Sequence, residues 1–108
     1  MKAAKGVNRE RTDGNTDPLV WAITRIDDGN VVYIVPDGAT VKLDVVDGSN
    51  VITINGVAVG DGSGRFAFAV DTLPAGESIL PYDIDVDEGG QYITYIRGLI
   101  KTVAKRGT

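Results

Sequence analysis

The residues with the most chemical potential in this chain are four acids in a short run, Asp83, Asp85, Asp87 and Glu88. Alternate residues of an extended strand share a face, so three carboxylates would stand in a row, roughly 6.5–7 Å apart at the usual strand rise. That is too wide for one cation to be held easily along a straight strand. Calcium loops converge their oxygens around a turn, as in Asp-x-Asp-x-Asp-Gly. Here the glycines come at 89 and 90, after Glu88. Asp83, Asp85, Asp87 and Glu88 are therefore a partial match to a calcium site. The reading preferred over it is a solvated acidic face, which also discourages strand-edge aggregation, and no metal is expected.

The remaining inventory offers little for catalysis. The chain has no histidine and no cysteine. That excludes Ser-His and Cys-His nucleophiles, zinc fingers and the 2-His-1-carboxylate iron site. A glycosidase would need one carboxyl raised in pKa by burial, whereas these acids sit beside turn glycines or at outward strand positions. Ser49, Ser63 and Ser78 have no base in the sequence to activate them. Gly60-Asp61-Gly62-Ser63-Gly64 lacks the Lys-Ser/Thr of a phosphate-binding loop and no helix follows it, so it reads as a hairpin linker. The expectation is a protein that is not an enzyme and needs no cofactor.

Charge is segregated. Residues 1–11 carry Lys2, Lys5, Arg9 and Arg11 against Glu10, and residues 97–108 carry Arg97, Lys101, Lys105 and Arg106 with no acid. The stretch between them has three cations, Arg25, Lys42 and Arg65, against 14 acids, within a net charge of −4 for the chain. Basic ends on an acidic body suit arms that meet an acidic partner, with solvated tails as the bland alternative. The basic residues of both ends are candidate interface residues. Nucleic acid is an improbable partner for so acidic a body. No apolar run approaches the roughly 20 residues of a membrane helix, and the basic N-terminus has no apolar stretch behind it to make a secretory signal.

These residues must be positioned by strands. Asp-Gly at 13–14, 28–29, 37–38, 47–48 and 61–62, Asn-Gly at 55–56 and Gly-Gly at 89–90 are tight-turn dipeptides. Between them run alternating segments: Leu19–Arg25, Val31–Val35, Thr40–Val46, the hairpin Val51–Ile54 with Val57–Val59, Arg65–Val70 and Ser78–Val86. Gln91–Val103 is apolar at both parities, which suggests a central or covered strand, with Gly98 marking a bulge or a change of buried face. Trp21 shares its parity with Leu19 and Ile23 and is assigned to the core. Tyr92 and Tyr95 have opposite parity, so one should face outward as an interface residue beside Arg97. No window supports a helix, and Thr72–Glu77 reads as a corner. The expected architecture is all-β, an immunoglobulin-like β-sandwich of about seven or eight antiparallel strands over residues 17–103. An extended N-terminal arm (1–16) precedes it and a basic tail (104–108) follows.

The order of these features resembles a known family. Asp13-Gly14-Asn15-Thr16-Asp17-Pro18-Leu19-Val20-Trp21-Ala22-Ile23, Asp37-Gly38-Ala39-Thr40-Val41-Lys42-Leu43-Asp44-Val45, Gly64-Arg65-Phe66-Ala67-Phe68 and Leu80-Pro81-Tyr82-Asp83-Ile84-Asp85-Val86, followed by Gly89-Gly90, Thr94, Gly98, Ile100 and Val103, are similar to successive strands of the immunoglobulin-like N-terminal domain of the phage baseplate upper protein and tail-fibre attachment proteins. The resemblance spans about residues 13–103. Members usually continue into a fibre or receptor-binding region, and no such region follows Thr108 in this sequence. The resemblance implies a virion structural protein docking on the tail, baseplate or neck, in multi-copy assembly with other virion proteins. A capsid decoration protein is the first alternative and a calcium- or carbohydrate-binding sandwich module the second. The implied location is the virion, reached through the host cytoplasm.

Overall fold

The computed structural model describes residues 5–14, 17–27, 29 and 31–103. The described chain is all-β, with β1 (Lys5–Gly6), β2 (Arg9–Thr12), β3 (Leu19–Ala22), β4 (Thr24–Asp27), β5 (Val31–Ile34), β6 (Val41–Asp47), β7 (Asn50–Asn55), β8 (Val57–Ala58), β9 (Arg65–Phe68), β10 (Ser78–Glu88) and β11 (Gln91–Val103). The large sheet has the order β1-β11-β10-β6-β7, with β2 also on β11. A second sheet has the order β3-β9-β8, and β4 pairs with β5 as a two-stranded ribbon.

The alternation read from the sequence sets the inward faces. Val41, Leu43 and Val45 of β6 and Leu80, Tyr82, Ile84 and Val86 of β10 are buried against Trp21, Phe66 and Phe68 of the second sheet. Trp21 packs edge-on to Phe68 and tilted against Tyr82, with centroids 5.4 and 5.3 Å apart. The result is sandwich-like. Two turns have the expected residues: Gly48 follows β6 at φ 62°, and Gly89 and Gly90, at φ 67° and 89°, form the two-residue link between β10 and β11. Pro81 lies in β10, where pairing with β6 stops at Tyr82 while pairing with β11 continues. A proline has no N–H to donate, so the β6 side of the ladder ends there.

Four sequence expectations are corrected. Leu19–Arg25 is not one strand. It breaks at Ile23, whose N–H donates to Gly64 O and whose carbonyl accepts from Val35 N, so Ile23 links the second sheet to the ribbon. Asn55-Gly56 is not a hairpin turn. β7 pairs with β6 and β8 with β9, and the chain crosses between sheets at Gly56, where a Cβ would lie 2.8 Å from the Phe68 ring. The face switch in β11 lies at Tyr95 and not at Gly98. Ile84 pairs with Ile96 but Asp85 pairs with Thr94, so Tyr95 is the extra residue of a bulge and both Tyr95 and Ile96 turn inward.

The largest correction concerns the N-terminal arm. Lys5–Gly6 and Arg9–Thr12 pair with β11, and they pair in parallel, so the sheet is not wholly antiparallel. Between them the chain crosses Gly98 so closely that a Cβ there would sit 1.8 Å from Val7 O. Arg11 is buried, at 7% exposure. Its Nε donates to Thr102 Oγ1 at 2.9 Å, and its terminal nitrogens donate to Val70 O at 3.5 Å and Pro74 O at 2.6 Å. It therefore clamps the 70–74 corner to the sheet. Arg9 lies over the Trp21 ring at 4.6 Å and donates to Val20 O at 2.6 Å. This stretch is part of the fold and not a free arm.

Arg11→Ala should lower unfolding free energy by about 2 kcal/mol, because buried carbonyls lose charged donors. Gly98→Ala should lower it by at least about 2 kcal/mol, because the added methyl meets backbone that cannot yield cheaply. Urea denaturation of both variants measures these losses.

Candidate binding surfaces

The outward face of the large sheet is a set of cross-strand rows. Register places Asp44 opposite both Thr53 and Asp83, and Asp83 opposite Arg97. The next row joins Asn55, Lys42, Asp85 and Thr94. One carboxylate oxygen from each of Asp44, Asp83 and Asp85 lies within 4.8 Å of the others. The acidic group is therefore not the linear run of the sequence. β6 supplies its third member, while Asp87 accepts from the turn amide Gly90 N at 2.8 Å and Glu88 turns to Arg25.

Thr53 donates to Asp44 at 2.7 Å and Thr94 to Asp85 at 2.6 Å, whereas Asp83 Oδ1 is buried with no hydrogen-bond partner. The Asp83 carboxyl is pushed up to about 6 from its ordinary 3.8, by burial first and then by the charges of Asp85 and Asp44, with Arg97 opposing. Three grouped carboxylates of this kind could take a divalent cation or share a proton.

An apolar row lies beside the acids. Val51 pairs with Val46 and Pro81 pairs with Leu99, and Val46 and Pro81 each lie one residue beyond Val45 and Tyr82, the last pair of the β6–β10 ladder. Val51, Val46 and Leu99 are 61%, 39% and 41% exposed, and Ile79, also outward on β10, is 61% exposed. Charged neighbours Arg97 and Lys101 flank this row on β11.

A second surface forms where the ribbon meets β11. The Arg25 guanidinium lies 4.5 Å from the Tyr33 ring centroid and 5.3 Å from that of Tyr95. It donates to Glu88 at 2.7 Å and to the Tyr95 hydroxyl at 2.5 Å, and that hydroxyl donates to Glu88 at 2.7 Å. Burial and the adjacent Glu88 push the Tyr95 hydroxyl far above the ordinary tyrosine range. Above this network a groove of about 310 Å³ opens between Thr24–Ile26 and Ile93–Tyr95, with Lys5 at one side.

The sequence-derived interface residues divide accordingly. Lys5, Arg97, Lys101 and Tyr92 are exposed, and Tyr92 stacks under Lys42 Nζ at 4.4 Å. Arg11 and Tyr95 are corrected: both side chains are buried inside the chain and not exposed as interface residues, Tyr95 lining the groove beside Arg25. Arg9 is half-buried, braced on Trp21. Lys2, Lys105 and Arg106 lie outside the described residues. Sequence reasoning missed Arg25, Asp44 and the apolar row. Arg25 carried one available signal, as one of three cations in the acidic body. No protein-family model matches this chain, and no curated protein and no solved structure matches it.

Because Asp83 holds its proton more tightly in the fold than in the unfolded chain, its ionisation weakens the fold as pH rises from about 4 through 6. Asp83→Asn should therefore stabilise the protein at pH 8 by on the order of 1 kcal/mol after allowance for solvent screening. The gain should vanish near pH 4. Thermal melts across that range test the prediction, and a gain equal at both ends would contradict it.

Proposed function

We propose that this chain is a phage virion structural protein, an immunoglobulin-like module that docks on the tail, baseplate or neck and acts by binding. The observation that carries the binding part is the outward row Val51, Val46, Pro81 and Leu99, with Ile79 beside it. Here a contiguous apolar strip crosses four strands of a sheet face. Exposed contiguous apolar patches in otherwise polar surroundings mark interaction sites, and charged residues at the rim give such a patch its register. The residue inventory supports the same reading, since a chain without histidine or cysteine lacks the commonest neutral-pH base and thiolate nucleophile. The phage assignment rests on the strand-by-strand resemblance over residues 13–103.

A calcium-binding sandwich module is the second reading, favoured by the Asp44, Asp83 and Asp85 grouping around a carboxylate oxygen without a partner. Melting with calcium and with a chelator separates the two. An unchanged transition removes the calcium reading.

Purified phage particles produced with and without the gene should differ by electron microscopy in tail, baseplate or neck density. Unchanged particles would end the virion reading, and density lost from the head would favour decoration of the capsid. Val51→Asp combined with Leu99→Asp should reduce the protein's copy number per particle at least tenfold while leaving its melting temperature within a few degrees. Truncation of residues 1–16 is a poor substitute, because it removes β1 and β2 from the sheet.

A further inference from the structure

β7 forms one edge of the large sheet, and among the described residues its outer side pairs with no strand. The chain on both sides of β7 is described: it enters from the β6 hairpin and leaves through Gly56 into the second sheet. The first and last described residues, Lys5 and Val103, lie at β11, with β10 and β6 between them and β7. Two bonds fix the direction of the free backbone groups. Gly56 N donates to Val41 O, and Asp87 N donates to Thr40 O. Hydrogen-bonded pairs alternate along an antiparallel ladder, so Ile54 and Ile52 exchange their bonds with Leu43 and Val45 of β6. The N–H and C=O groups of Val51, Thr53 and Asn55 therefore point out of the sheet edge. Edge strands that stay single are blunted by charge, proline or a bulge. β7 has none of these: its sequence is Asn-Val-Ile-Thr-Ile-Asn, and its register on β6 is unbroken.

We propose that the outer edge of β7 pairs with the same edge of a second copy of this chain, antiparallel and centred on Thr53. The inference goes beyond the docking strip and does not depend on it. Two requirements select this occupant. Bonded partners must be residues whose amides point outward, and directly opposed residues must share a face. A two-fold axis at Thr53 meets both. Thr53 then faces Thr53 of the second copy, and Val51 faces Asn55 in each direction. Those pairs use every outward amide of the edge. On the inner face Ile52 comes opposite Ile54 of the second copy. Ile52 is only partly buried within one chain, whereas Ile54 is 9% exposed. Pairing would run the core row Ile84, Leu43, Ile54 on into the row Ile52, Val45, Tyr82 of the second copy. On the outer face each Thr53 hydroxyl donates to its own Asp44, and β7 carries no charge to oppose its like across the axis. An isologous contact uses the same edge on both copies and closes at two. A six-residue edge is a small contact of the transient class, so it forms at high local chain concentration.

The full chain has no cysteine, so single introduced thiols report the register. Thr53→Cys should form a covalent dimer under mild oxidation, because opposed hydrogen-bonded residues have Cα atoms about 5.5 Å apart, inside the disulfide range. Val51→Cys and Asn55→Cys should each stay uncoupled alone, since like positions lie about 13 Å apart along the strands. Mixed together, those two variants should cross-link at least tenfold faster. Sedimentation of the unaltered chain at millimolar concentration should give twice the chain mass. Thr53→Pro should return it to one chain mass with melting within a few degrees, since the lost N–H points away from β6. If that variant does not fold, Thr53→Lys tests the same contact. Its side chain is exposed, and like charges opposed across the axis should weaken association at least tenfold. A single chain mass at millimolar concentration, or Val51→Cys alone cross-linking as fast as Thr53→Cys, would overturn the proposal. So would a dimer that survives both Thr53→Pro and Thr53→Lys, which places the contact elsewhere. A dimer seen only after removal of residues 104–108 would also overturn it, by assigning the edge to the chain's own end. None of these results bears on the docking strip, which Val51→Asp with Leu99→Asp tests on particles.

Discussion

A single buried hydrogen-bonded relay ties the parts of this fold together. Trp21 Nε1 donates to the Tyr82 hydroxyl at 3.1 Å, and that hydroxyl donates to Val7 O at 2.5 Å. Trp21 belongs to the second sheet, Tyr82 to the centre of the large sheet, and Val7 to the segment between the parallel N-terminal strands. Burial makes each of these polar atoms costly to leave unpaired, so the two sheets and the N-terminal segment have one mutual arrangement that satisfies all three. Gly98 permits that arrangement by leaving room for the Val7 carbonyl, and Arg11 locks it from below by holding the 70–74 corner.

The bulge at Tyr95 has the next largest consequence. One extra residue turns Tyr95 and Ile96 to the same side. This brings the Tyr95 hydroxyl under Arg25 and beside Glu88, at the place where the ribbon leaves the second sheet. An aromatic ring, a guanidinium and a carboxylate then fix the ribbon to the large sheet without a shared strand ladder. The groove between β4 and β11 is the space that this attachment leaves.

On the opposite face the sheet stores unlike chemistry in adjacent rows. A row of carboxylates is destabilising at neutral pH, since like charges directly opposite one another repel and Asp83 is partly withdrawn from water. The apolar row one step along has no such conflict but exposes hydrocarbon. Both features run against the stability of an isolated domain, and such departures concentrate where a surface is used.

Much of the core was legible in the sequence. The inward sets Val41, Leu43, Val45 and Leu80, Tyr82, Ile84, Val86, the burial of Trp21, the absence of an α-helix among the described residues and the turns at Gly48 and Gly89-Gly90 all follow from periodicity and from residues that tolerate positive φ. Those are local properties: a side chain's face depends on its parity along its own strand. Which strands lie side by side is not local. The pairing of residues 5–12 with β11, the crossover at Gly56, the bulge at Tyr95 and the arrival of Asp44 beside Asp83 and Asp85 depend on register between segments up to about ninety positions apart. Alternation alone cannot select among registers that bury equally good apolar faces; the tertiary structure chose between them by pairing buried donors with acceptors and by fitting backbone over a residue without a side chain.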